Sequence, residues 1–215
     1  MNAPNANQTR FNQAAASWDE NPARQVMANT IAAAMLAAIP IESSMTVLDF
    51  GCGTGLVSLA LQPHVQRVIG IDITPGMLAI FDEKVRAYGI TNVETHCLDL
   101  CTQSAPDLQA DVIVSAMALH HIADLPSLLP TLVQLLTPGG YLAFADLDSE
   151  DGSFHEDKTG VYHDGLERDW LISQLQVLGI QDITAVTAHT IERPTGSYPI
   201  FLISGRKPTG VKGNG

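Results

Sequence analysis

The chain predicts a doubly wound α/β domain with helices on both faces of the sheet and an N-terminal helical cap. Three observations carry this. Short β-prone runs alternate with helix-favouring stretches, the mark of βαβ units. The runs are apolar with little polar alternation, so the sheet is buried on both faces. A glycine-rich bend follows the first run and a carboxylate follows the second, where such sheets bind ligands.

Taken in order, residues 1–10 are polar and read as a frayed terminus, and 24–39 is an Ala-rich helix stopped by Pro40. Thr46–Phe50 is a first strand ending at Gly51, and Leu56–Leu61 is helical. Gln66–Ile71 is a second strand, and Thr74-Pro75 opens a helix running to about Tyr88, with Thr74 as its cap and Pro75 at its first position. Further strands are expected at Thr91–Thr95, Asp111–Ser115 and Tyr141–Ala145, with a helix over Leu125–Leu136 ending before Pro138-Gly139-Gly140. A helix over Gly165–Leu178, closed by Gly179, precedes strands at Ile183–Val186 and Pro199–Ser204. The organisation is one domain: a cap segment over 1–44, an α/β body over 45–206 and a flexible tail over 207–215.

Composition narrows the function. At 46% hydrophobic and 16% charged residues the chain can fill a large core, which excludes bulk disorder. A formal charge of −12, with no basic stripe, opposes nucleic acid and anionic membrane surfaces. The longest apolar run, Ile31–Ile39, is nine residues, short of the roughly 20 a membrane span needs. No apolar signal-peptide core precedes it, and the three cysteines make no disulfide framework, so the chain reads as cytoplasmic.

The residues after each strand carry the chemistry. Gly51, Gly53 and Gly55 let the backbone turn tightly and a ligand approach closely, or form a plain strand-to-helix turn. Asp72 can take both hydroxyls of a ribose, or sit solvated at a helix start. The third glycine comes one residue early for a dinucleotide loop and Leu56 follows it, so the bend suits an adenosine without a pyrophosphate. Metal ligation is not expected: Cys97 and Cys101 lack a second ligand pair, and no second histidine follows His155-Glu156 at zincin spacing.

VLDFGCGTG (47–55), GIDITPGML (70–78), CLDL (97–100), DVIVSAMALHHI (111–122) and LTPGGYLAF (136–144) together resemble the ordered motifs of class I S-adenosylmethionine-dependent methyltransferases of small-molecule type. The resemblance implies a Rossmann-like, mostly parallel seven-stranded sheet whose last strand is antiparallel. It also implies S-adenosylmethionine as cofactor, S-adenosylhomocysteine as product and a small-molecule methyl acceptor. Position by position, Asp49 and the backbone of Gly51, Cys52 and Gly53 would hold the methionine end. Asp72 would bind the ribose, Ile73 and Met77 would cover the adenine, and Asp99 and Leu100 would meet its edge. Ser115 and Met117 would lie beside the methyl donor. Phe11 and Trp18 resemble the aromatic-bearing segment that folds over the cofactor, or simply anchor a cap helix.

Methyl transfer to an OH or NH₃⁺ group calls for a base, and histidine suits neutral pH. His120 or His121 is the candidate, as base, as orienter of the acceptor, or as a structural pair. Trp18, His155 and His163 are candidates for the substrate side. From Asp146 to Asp169 acids outnumber bases nine to two, which favours a cationic or neutral acceptor or a metal, or describes a solvated loop. A nicotinamide-dependent oxidoreductase and a non-catalytic adenosyl-ligand binding module are the alternatives, and the protein is expected as a monomer or homodimer.

Overall fold

A computed structural model describes residues 6–103, 105 and 108–210. Seven strands form one sheet: β1 (Thr46–Phe50), β2 (Arg67–Asp72), β3 (Val93–Cys97), β4 (Ala110–Ala116), β5 (Leu136–Leu147), β6 (Gln181–Arg193) and β7 (Gly196–Arg206). Their order is β3-β2-β1-β4-β5-β7-β6. β1 to β5 run parallel, and β7 lies antiparallel to both β5 and β6. The order reverses between β1 and β4, so the ligand crevice lies beyond the carboxyl ends of those two strands.

The helices are α1 (Ala6–Ala14), α2 (Pro22–Ala38), α3 (Leu56–Leu61), α4 (Pro75–Ala87), α5 (Leu125–Leu135) and α6 (Arg168–Val177). Side-chain alternation along the parallel strands divides the core into two halves. Val47, Val68 and Val112 point to α2 and α3, where Ile31, Met35 and Leu61 meet them. Leu48, Ile69 and Ile113 point the other way, onto Leu128 and Leu132 of α5 and Leu171 and Leu175 of α6. No helix among the described residues is long and apolar enough to cross a membrane.

Several boundaries differ from the sequence reading. α1 starts at Ala6, so part of the expected frayed terminus is a docked helix. β3 begins two residues late because Asn92 is a tie: its amide donates to Val65 O, and its own carbonyl receives Val68 N. β5 starts at Leu136, since the pairing skips from Ala110↔Leu136 to Val112↔Tyr141 and accommodates Pro138-Gly139-Gly140 as an irregularity. α6 starts at Arg168, and β6 and β7 form a hairpin much longer than the two short runs expected. Lys207 is anchored, its Nζ donating to Val133 O and Leu136 O at 2.8 and 2.6 Å.

Candidate functional site

The crevice is built from the turns after β1, β2, β4 and β5. After β1, Gly51, Gly53 and Gly55 all have positive φ. Gly55 is obligatory, because a Cβ there would lie 2.3 Å from the Phe81 ring. A Cβ on Gly53 would meet nothing within 4 Å, so the middle of the bend opens outward. Asp72, at the end of β2, ties the bend down: Gly53 N donates to its Oδ2 at 2.9 Å and Thr74 N to its Oδ1 at 2.8 Å. Asp72 thereby caps α4 in place of the Thr74 hydroxyl, which makes no cap bond. Burial raises the Asp72 pKa against those amide bonds.

Asp49 lies behind the bend, buried, and its Oδ2 receives the Ser58 hydroxyl at 2.5 Å. Burial pushes its pKa up to about 7. Cys52 is also buried, and burial followed by the charges of Asp49 and Asp72 raises its thiol pKa well above the ordinary value. Ile73 is half-buried and Met77 is buried on α4. Asp99 holds its own turn, receiving Cys101 N and the Thr102 hydroxyl at 2.9 Å each, while Leu100 is buried in the α5-side core.

After β4 the chain turns sharply. Met117 sits at φ +56, in the left-handed region that costs a residue with a Cβ roughly 1–2 kcal/mol, a strain that clusters at functional sites. Ser115 is fully buried and its Oγ has no partner among the described residues. A single 3₁₀ turn, Leu119–His121, then presents both histidines. His120 is 1% exposed and its Nδ1 is 2.6 Å from Asp146 Oδ1. Asp146, at the end of β5, also receives Leu119 N at 2.8 Å and Leu147 N at 2.7 Å. Burial opposes its charge, yet His120 and these amides outweigh burial and hold its pKa below the usual range. His121 Nδ1 lies 2.8 Å from Gly160 O, and burial, followed by the His120 charge, pushes its pKa down to about 3. The His155 ring is 5.2 Å from that of His120 and 5.9 Å from that of His121.

The N-terminal segment lies across these turns. Gln8 donates to Ile73 O at 2.7 Å, Asn12 accepts from Gly76 N at 2.8 Å and Asn7 donates to His121 O at 3.2 Å. Asp19 receives the Thr54 hydroxyl on one oxygen and Lys84 Nζ on the other, both at 2.6 Å. Phe11 packs edge-on to Trp18 and to His121, and Arg24 stacks 3.8 Å over the Trp18 ring.

The structure therefore brings His120, His121 and His155 together. His163 is turned to another task, bonding Ile122 O through Nε2 at 2.9 Å. Trp18 reaches the cluster through Phe11. Sequence reasoning passed over Asp146 and the lid residues Asn7, Gln8, Asn12 and Asp19. Asp146 had a signal, being the first polar residue after the apolar fifth strand. The lid residues had none beyond their polarity.

A family model of the methyltransferase domain matches residues 47–140, which span β1 to the middle of β5. Those residues match a methyltransferase domain. An uncharacterized methyltransferase of Schizosaccharomyces pombe is 37% identical over 139 residues, 58% of this chain and 49% of that one. Malonyl-[acyl-carrier protein] O-methyltransferase of Serratia marcescens is 31% identical over 148 residues, 68% of this chain and 53% of that one. The chain thus spans about half the length of the curated relatives it matches. Among solved structures, the DhpI–SAH complex superposes with a TM-score of 0.71 at 22% identity, covering 94% of this chain and 95% of that one. A putative S-adenosylmethionine-dependent methyltransferase from Listeria monocytogenes superposes with a TM-score of 0.64 at 22% identity, covering 83% and 98%. These likenesses share the methyltransferase domain's fold.

The residues of the domain fit that cofactor. Asp72 receives the backbone amides of Gly53 and Thr74 at the mouth of the bend, and a carboxylate has acceptor positions beyond these two for a ribose hydroxyl. The open face at Gly53 gives the backbone a cradle no side chain fills.

Proposed function

We propose that the protein transfers a methyl group from S-adenosylmethionine to a small-molecule acceptor. The observation that carries this reading is the N-terminal segment lying across the ends of β1, β2 and β4, held at Thr54, Ile73, Gly76 and His121. A segment seated there encloses the reacting centre, which suits an acceptor small enough to be covered.

When bound, the cofactor supplies a methyl group on a sulfonium, open to in-line displacement. Asp72 takes the ribose hydroxyls, and the backbone of Gly51, Cys52 and Gly53 lines the methionine end. Asp49 braces that bend from behind through Ser58. Ile73 and Met77 flank the adenine, with Asp99 and Leu100 at its edge. Ser115 and Met117 lie nearest the transferred group. The acceptor enters from the side of His120 and His155. Positive charge on sulfur is lost in the reaction, so a dry, aligned enclosure supplies much of the rate.

The test is calorimetric titration with S-adenosylmethionine and S-adenosylhomocysteine, followed by a labelled-methyl assay against small acceptors. Tight binding of both ligands and transfer of label supports the reading. No heat of binding with either ligand sinks it.

A further inference from the structure

We propose that His120, Asp146 and His155 form the acceptor subsite and that it takes a phenolic or enolic hydroxyl, so that the reaction is an O-methylation. The inference rests on the function proposed above and adds the acceptor class.

The argument starts at Asp146. A buried carboxylate that receives two short backbone amide bonds stays ionised, so the proton on His120 Nδ1 points to it. With Nδ1 turned to Asp146, Nε2 is the His120 nitrogen left to exchange a proton with an acceptor. Nε2 is buried and has no hydrogen-bond partner among the described residues. His155 Nε2, across a ring separation of 5.2 Å, is likewise buried without one. Burial foremost, with the Arg10 and Arg193 charges adding to it, pushes the His155 pKa down to about 4, so this ring is neutral at neutral pH. One hydroxyl can meet both rings: His120 Nε2 receives its proton and the neutral His155 donates to its oxygen through Nε2–H.

The surroundings sort the alternatives. An ammonium acceptor would face Arg10 and Arg193 on the His155 side. Several acids of the 146–169 stretch are already engaged. Asp148 pairs with Arg168, Asp164 with Lys158, and Glu150 takes the amides of Ser153 and Phe154 on Oε2, its Oε1 being buried without a partner among the described residues. A carboxylic acid is ionised at neutral pH and needs no base. A thiol is a weak donor and leaves the orphaned nitrogens poorly satisfied. A phenol or enol holds its proton at neutral pH, needs a base and offers a strong O–H. Aromatic edges complete the wall: Phe11 stands 5.1 Å from the His121 ring and Phe154 stands 4.7 Å from that of His155.

In the transfer, the acceptor O–H gives its proton to His120 Nε2 and its electron pair forms the new O–C bond. The pair of the broken S–C bond remains on sulfur as a neutral thioether. Asp146 stabilises the imidazolium until the proton leaves to water.

The test compares the full-length protein with His120→Asn and His155→Ala. Asparagine at 120 keeps a donor toward Asp146 and removes the base. The acceptors are phenol, catechol, 1,3-cyclohexanedione, 4-nitrophenol, benzoic acid, benzyl mercaptan and benzylamine, with labelled S-adenosylmethionine at mildly alkaline pH, where 4-nitrophenol and 1,3-cyclohexanedione are already ionised. The expected result is transfer to the hydroxyl compounds. His120→Asn should lower kcat/KM for phenol by about a hundredfold or more, and for 4-nitrophenol and 1,3-cyclohexanedione far less. His155→Ala should raise KM for all three. Equal loss for phenol and 4-nitrophenol overturns the base. Transfer confined to the amine, thiol or carboxylic acid, or none to any hydroxyl with cofactor binding intact, overturns the acceptor class alone. Failure to bind the cofactor overturns the function reading and this inference with it.

Discussion

Replacing Asp19 with alanine should open the N-terminal segment while leaving the α/β body folded. Asp19 joins that segment to the glycine bend and to α4 through two contacts of 2.6 Å, to the buried Thr54 hydroxyl and to Lys84. A hydrogen bond to a charged group contributes about 1.5–3 kcal/mol. An ion pair with side chains 19% and 23% exposed contributes about 0.5–1 kcal/mol. Together these amount to roughly 2–4 kcal/mol, or about a 30-fold to nearly 1000-fold shift toward the open state at 1.4 kcal/mol per tenfold. Hydrogen exchange followed by mass spectrometry reads this directly. Amides over residues 6–20 should exchange faster by a factor in that range, while those of β1 and β4 stay protected. Cofactor dissociation should quicken in parallel. Unchanged exchange over 6–20 would refute the idea that Asp19 latches the segment.

Asp72→Asn should weaken S-adenosylmethionine binding by roughly ten- to a hundredfold, since one charge-assisted hydrogen bond is worth about 1.5–3 kcal/mol; calorimetry with unchanged affinity would remove the ribose role. Gly160→Ala should loosen α1, because φ is +74 and the new Cβ would lie 1.6 Å from Asn7 Oδ1; unaltered exchange protection of α1 would count against Asn7 as an anchor. Asp49 has its pKa raised from 3.8 to about 7, so the folded state holds a proton that the unfolded state releases in that window. Its contribution is therefore fully present below about 4 and lost as pH rises to about 7. Asp49→Asn does not titrate, so urea melts should show the variant gaining on wild type across that rise, and a pH-independent difference would be contrary.

Where physics is local, the sequence reads well. β1 and α3 match their predicted bounds because an apolar run closes on glycines that sterics demand, as Phe81 demands Gly55. The expected strand ends at Phe50, Ile71 and Ser115 fall within one residue of the observed ends at Phe50, Asp72 and Ala116 for the same reason. Boundaries fail where a distant partner decides them. Pro138-Gly139-Gly140 looks like a break, yet β4 pairs on both sides of it. The His120–His155 proximity joins positions 35 apart through a loop without periodicity, so no pattern could announce it. Residues 6–10 look like a frayed end because polar residues that dock onto backbone atoms, such as Gln8 on Ile73 O, resemble polar residues in water.

Charge shows the same gap between count and placement. A net −12 and nine acids in 146–169 suggest a site that attracts cations. In the folded chain Asp146 is taken up by His120 and backbone amides, and Asp148 and Asp164 face Arg168 and Lys158, which leaves the fields of these two locally cancelled. Beside His155 stand Arg10, from the lid, and Arg193, stacked 4.0 Å over Phe154 from the end of β6. Both reach the site only because the topology brings them there: the chain's start folds over the strand ends, and the long hairpin carries β6 back past β5. The potential an acceptor meets is thus set by two residues remote in sequence from the acidic stretch. Substituting Arg193 should change acceptor preference more than removing any one exposed acid of that stretch, because a screened surface carboxylate already paired with a cation adds little at the site.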